Sequence, residues 1–362
     1  MKKTISFPHL GNYHYPFSKI LQELTEENVQ TAPPITKKTL ELGTKYAPDM
    51  VCIPFKYNLG NFIESLNNGA NILFTAGGGC RYRYYAEVTK TILKDLGYQF
   101  KLYKLIRKDR LKISEAYNIF KEINPKLTKR KFIHTFIYGI SFIFYMDQID
   151  KIIRKNIGFE QKQGQHEKLQ KQMLTGFSNT NSIIKLNKLY RKYKKKFKNI
   201  KILKPKNCLK VGIIGELYTT REPFANYDLE KELAKEHIEI KRFTNLSYLM
   251  WQKRLLRKHI KRKVKKYCKY KLGADALDNI YRSLFLIKNK YDGIIHIKPF
   301  GCTPEITAIP IIQKICEEKQ MPIIFFSYDE ESGTEGIKTR LEALQDLITI
   351  RREKYEKSIF RN

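Results

Sequence analysis

The chain is expected to be an α/β protein: two doubly wound parallel-sheet domains of the Rossmann or flavodoxin kind, joined by a basic helical insertion. Three observations carry this. Short apolar runs alternate with helical periodicities over the first hundred residues, and the alternation returns after residue 205. The stretch between them reads as helix throughout, with few glycines and many lysines. A chain of 362 residues exceeds one ordinary core, and 42% hydrophobic residues supply enough apolar material for two. The expected domains are 1–107 (α/β), 108–205 (basic, helical) and 206–362 (α/β).

Element by element, 4–7 reads as a strand leading into a loop with Pro8, Gly11 and Asn12. Residues 15–25 place Phe17, Ile20, Leu21 and Leu24 on one helical face, and 36–42 form a second helix. A strand is expected at 50–53, a helix at 59–67 closed by Gly69, a strand at 71–75, a helix at 83–96 closed by Gly97, and a strand at 100–105. After the helical middle, strands are expected at 209–214, 292–297 and 322–326, with a helix at 304–318 and a basic helical patch at 251–271. The aromatic, apolar run 132–146 is only 15 residues long and meets Asp147 and Asp150, so a buried core helix is expected rather than a membrane span, which needs about 20 residues.

The net charge of +33 is concentrated at 101–110, 126–131, 185–206 and 253–271. Such runs suit an acidic partner or polyanion, and equally a solvated lysine-rich surface. The N-terminal residues Met1-Lys2-Lys3-Thr4-Ile5-Ser6-Phe7-Pro8 contain no apolar signal core, and a core of this size needs no disulfide staples. A cytoplasmic protein with reduced thiols is expected.

Six cysteines divide by context. Cys52, Cys80 and Cys302 each stand where an expected buried strand runs into a glycine- or proline-containing loop. Cys208 precedes a strand, Cys268 lies in the basic patch and Cys316 falls mid-helix. Ligands of open α/β sheets collect beyond the carboxyl ends of the strands, so three thiols delivered there suit one soft metal centre. No Cys-x-x-Cys occurs, which leaves zinc fingers and thioredoxin-like sites without support. The loop Gly77-Gly78-Gly79 before Cys80 is a candidate cofactor cradle, although it has neither P-loop nor dinucleotide spacing. Its glycines also suit a sharp turn and close backbone approach. Arg81-Tyr82-Arg83-Tyr84-Tyr85 suits base stacking or the first turn of an amphipathic helix. Glu216, Arg221, Glu222, Asp329, Glu330 and Glu331 follow strands and suit acid–base work or helix capping.

Four blocks of sequence resemble one family. They are 45–85, with its Gly77-Gly78-Gly79-Cys80; 211–228, with Gly215-Glu216-Leu217-Tyr218; Lys298-Pro299-Phe300-Gly301-Cys302-Thr303-Pro304-Glu305; and 326–342. Together they resemble the activase-related branch of the 2-hydroxyacyl-CoA dehydratase family, which includes double-cubane cluster proteins. The resemblance implies a cubane [4Fe-4S] or double-cubane iron–sulfur cluster held by Cys52, Cys80 and Cys302, in an oxygen-sensitive protein of anaerobic electron transfer. It implies a separate ATP-hydrolysing activator as electron donor, a CoA-thioester or other small-molecule substrate, and a homo- or heterodimer. The chain departs from the family loop in having Gly78-Gly79 where Gly-Pro is usual. Two further readings stand beside it: a basic nucleic-acid-binding protein with structural cysteines, and an interaction subunit without a substrate of its own.

Overall fold

The computed structural model describes residues 2–106 and 111–359, with side chains up to residue 354. The last four residues of the charged run 101–110, and the expected domain boundary at 107/108, lie outside the described residues. The chain forms two compact units. The first comprises Met1–Gln148 and Glu167–Lys196, the second Ile149–His166 and Phe197–Asn362. The helices of 108–205 are shared between them.

In the first unit β1 (Thr4–Ser6), β2 (Asn28–Val29), β3 (Ile72–Thr75) and β4 (Lys101–Lys104) form an all-parallel sheet in the order β2-β1-β3-β4. Its helices are α1 (His14–Thr25), α2 (Lys37–Tyr46), α3 (Ile53–Asn67), α4 (Tyr85–Asp95), α5 (Ile113–Ile123), most of α6 (Lys129–Asn156), α7 (Gln165–Ser178) and most of α8 (Ile183–Lys198). Strand β3 shows why the sheet is covered twice. Ile72 and Phe74 pack with Leu21, Leu24 and Phe120, whereas Leu73 packs with Phe55, Leu59 and Phe62. Successive side chains of a strand point to opposite faces, so a continuous apolar run demands helices on both.

The second unit repeats the plan. Strands β5 (Lys210–Gly215), β6 (Glu239–Arg242), β7 (Gly293–Pro299) and β8 (Ile323–Tyr328) form a parallel sheet in the order β6-β5-β7-β8. Its helices are α9 (Leu217–Arg221), α10 (Leu229–Lys235), α11 (Lys253–Val264), α12 (Ala276–Lys288), α13 (Thr303–Glu318) and α14 (Thr334–Ile359). Val211 and Ile213 face Leu229, Leu233 and Leu344, while Ile214 and Ile294 face Ile260, Ile280 and Ile312.

The expected strand at 50–53 is not formed. Met50 takes the left-handed conformation (φ 61°), and Ile53 already opens α3 with Cys52 as its N-cap. Pro54 explains the outcome, because proline fits the first helical turn, where its missing N–H loses no hydrogen bond. Two strands, β2 and β6, form where no apolar run announced them. The run 132–146 lies inside α6, where Phe132, Tyr138, Phe142, Ile143 and Met146 are buried. Among the described residues no helix is long and apolar enough to cross a membrane.

Candidate functional site

Cys52, Cys80 and Cys302 share a position that strand counting only approximated: each is the residue that opens a helix. Cys52 caps α3, Cys80 caps a 3-10 turn (Arg81–Tyr84) that continues into α4, and Cys302 caps α13. Cys80 and Cys302 follow β3 and β7, the third strand of each sheet, whereas Cys52 follows no strand. All three are partly exposed, while Cys208, Cys268 and Cys316 are buried. Burial pushes the Cys316 thiol up to about 12, as for an inert core thiol.

In the first unit the loops bearing Cys52 and Cys80 are laced together. Arg81 Nη1 donates to the Met50 carbonyl (3.4 Å), and the Cys52 backbone N–H and Sγ meet the Tyr85 hydroxyl at 3.4 and 3.1 Å. Burial raises the Tyr85 phenol above its ordinary range, with Cys52 adding to the shift, so this hydroxyl keeps its proton at neutral pH. Phe55 packs on the same ring edge-on, with centroids 4.7 Å apart. A Cβ at Gly77 would stand 2.4 Å from the Ile106 carbonyl, and one at Gly78 would stand 3.3 Å from Tyr82 Cβ. Gly77 is therefore required by the chain's own backbone.

In the second unit Cys302 begins a helix anchored from beneath. Glu305, in the first turn of α13, accepts from His296 Nε2 on β7 at 2.8 Å, and both side chains are buried. Asn279 Nδ2 donates to the same carboxylate oxygen (2.9 Å) and to the Gly215 carbonyl (3.2 Å). Arg282 Nη1 donates to Asn279 Oδ1 (2.8 Å) and Thr244 Oγ1 (2.6 Å). Lys298, from the same strand as His296, donates to Ser327 Oγ at 2.8 Å; burial pulls its ammonium down, and Cys302 and Glu305 pull it back up. Glu216 caps α9, accepting from the backbone N–H groups of Tyr218 and Thr219. Burial pushes its carboxyl up to about 7 against those hydrogen bonds, with Asp275 adding to the rise.

A second buried cluster was not foreseen. Asp150 accepts from Arg154 (2.8 Å), Arg221 (2.7 Å) and Arg242 (3.4 Å), and Arg242 also pairs with Glu230 at 2.8 Å. Burial works to raise the Asp150 carboxyl, but the three guanidiniums overcome it and hold the group well below the usual carboxylate range. Arg221, a candidate acid–base neighbour by sequence, is therefore part of a structural ion network. Asp329 proves to be a turn residue, accepting from Ser332 Oγ (2.7 Å) and the Glu331 N–H (3.2 Å).

The donor chemistry suits a soft metal cluster: thiols at helix N-termini, where the dipole favours thiolate, and exposed enough to be reached. Cys52 and Cys80 belong to the first unit and Cys302 to the second. Among the described residues no three Cys, His, Asp or Glu side chains are gathered as a metal-binding group. Compared with known proteins, the chain is matched by no family model and by no curated sequence.

Proposed function

We propose that the protein is an iron–sulfur component of an ATP-driven, low-potential electron-transfer system, akin to the activase-related 2-hydroxyacyl-CoA dehydratases. The observation that carries this is the division of the six cysteines: three partly exposed at helix N-caps, three buried. Cys52, Cys80 and Cys302 would hold the cluster, which when bound supplies one-electron transfer. Three thiolates per cubane leave one iron open to substrate, solvent or a bridging sulfide. The chain's own residues do the positioning. Tyr85 orients the Cys52 sulfur, Arg81 ties the two loops of the first unit, and Glu305 fixes the start of the helix that Cys302 opens. With no phosphate-binding lysine at P-loop spacing, ATP hydrolysis belongs to a separate activator, and a CoA thioester is the proposed substrate class.

The test is iron and acid-labile sulfide per chain after anaerobic purification, in the wild type and in six single Cys→Ser variants. Loss of most iron at positions 52, 80 and 302, with near wild-type content at 208, 268 and 316, is the expected result. Equal loss at all six positions, or none at any, would overturn the proposal.

A further inference from the structure

From Phe243 to Ala274 the chain contains no Asp or Glu and eleven Lys and Arg. This segment is α11 with its flanks, and the fold uses little of that charge. Ile260 and Val264 are buried against Ile280 and Ile312, and Lys253 pairs with Asp275 (2.8 Å) and Asp278 (2.9 Å). Arg254, Arg257, Lys258, Lys261, Arg262 and Lys265 are exposed, and none makes an ion pair among the described residues. Just beyond, Tyr270 is 82% exposed between Lys269 and Lys271, and its ring has no partner among the described residues. A second basic helix, α8, has committed its rings: Tyr190 stacks on Tyr145 (4.1 Å), and Tyr193 donates to the Gln172 carbonyl (3.2 Å).

We infer that α11 and the segment through Lys271 form a binding face for single-stranded nucleic acid, a role that goes beyond the electron-transfer reading and stands independently of it. A row of uncompensated cations matches a phosphate backbone, and an exposed ring flanked by cations offers a stacking platform to an unpaired base. Protein interfaces are depleted in lysine, so a face this rich in it is poorly suited to a protein partner. A helix lying in a lipid surface turns its apolar stripe outward. Here the stripe formed by Ile260 and Val264 faces the core, and the apolar side chains that α11 leaves exposed, Leu255 (77%) and Leu256 (41%), stand among cations rather than forming a continuous face.

The test is fluorescence anisotropy of a 5′-labelled 20-nucleotide RNA and the matching single-stranded DNA with the full-length protein, titrated at several salt concentrations. Replacing Arg254, Lys258, Lys261 and Arg262 together by Gln should weaken binding more than about tenfold at ~0.1 M salt and reduce the salt slope by about three. Replacing Lys185, Lys188, Lys192 and Lys195 of α8 by Gln removes the same charge and should change affinity less than about threefold. Tyr270→Ala should weaken binding by about fivefold or more. Circular dichroism and melting temperature, unchanged in all three variants, establish that each is folded. Equal losses in the two quadruple variants, unchanged binding by Tyr270→Ala, or tighter binding of the duplex than of either strand would overturn the inference. So would binding to phosphatidylserine vesicles through α11 with none to the oligonucleotides.

Discussion

In both sheets the second strand returns to the third through two consecutive helices, α2 and α3 in the first unit, α11 and α12 in the second. The first pair is welded. A Cβ on Gly43 of α2 would stand 1.8 Å from the Lys56 carbonyl, and one on Gly60 of α3 would stand 1.9 Å from the Thr39 carbonyl. Thr39 also donates to Glu64 at 2.9 Å and takes part in a capping box with Thr36. The second pair is looser in its demands, with α11 contributing Ile260 and Val264 to the core and turning cations outward. A parallel crossover requires one apolar stripe per helix. The remaining face is not fixed by the fold, and on α11 it carries exposed cations.

The comparison breaks most visibly at the glycines. Gly60→Ala ordinarily favours a helix by up to ~1 kcal/mol, but here the added carbon meets a backbone carbonyl that cannot swing away. A net loss of about 3 kcal/mol is expected in urea unfolding followed by circular dichroism. A variant as stable as wild type would mean that α2 and α3 do not approach this closely.

Ile260→Ala should cost about 2–4 kcal/mol, since it removes the main anchor of α11 from a packed core. Trp251, the only tryptophan in the chain, lies in the helical turn Tyr248–Gln252 that leads into this helix, so its fluorescence should report the loss. An unchanged midpoint would show that α11 is held by something other than its apolar stripe.

A third contrast concerns pH. The second unit holds Glu216 with its carboxyl raised to about 7 by burial, whereas in the first unit Lys131 holds the Glu26 carboxyl, and Tyr103 the Glu122 carboxyl, below the ordinary value. A raised carboxyl binds its proton more tightly folded than unfolded, so stability declines as pH rises from about 4.5 through 7. Glu216 is partly exposed, so a decline of ~1–2 kcal/mol is expected, and it should be absent in Glu216→Gln. The same slope in both proteins would refute the assignment. The smallest effect is expected of Leu255→Gln, within ~0.5 kcal/mol, because the side chain leaves no cavity behind. A larger loss would show that this leucine is covered.

Much of this was legible beforehand for a physical reason. Runs such as Val211-Gly212-Ile213-Ile214 and Ile72-Leu73-Phe74 announce strands buried on both faces, and the partition of the cysteines follows from their neighbours in sequence. Strand β6 was illegible because Glu239-Ile240-Lys241-Arg242 reads as polar. Arg242 is buried only because Asp150, 92 residues away, and Glu230 neutralise it. Such compensation between distant residues leaves no local trace. The His296–Glu305 contact did leave one, a histidine inside an apolar strand with a glutamate nine residues on. Cys52 was misplaced because Val51-Cys52-Ile53 is too short for periodicity to separate strand from helix, and Pro54 was the better guide.

The two units are interleaved along the chain, with crossings at 148/149, 166/167 and 196/197. Synthesis proceeds from the N-terminus, and domains commonly fold in the order in which they emerge. Here that order is disturbed: the first unit remains incomplete until Lys196 has left the ribosome, by which time Ile149–His166 is already waiting for strands not yet made. A nascent chain arrested between residues 150 and 190 should therefore be protease-sensitive although its first sheet is fully synthesised. For the same reason neither unit can be produced by a single truncation. The interleaving thus makes the order of synthesis, as well as the final energy, a constraint on how this protein reaches its fold.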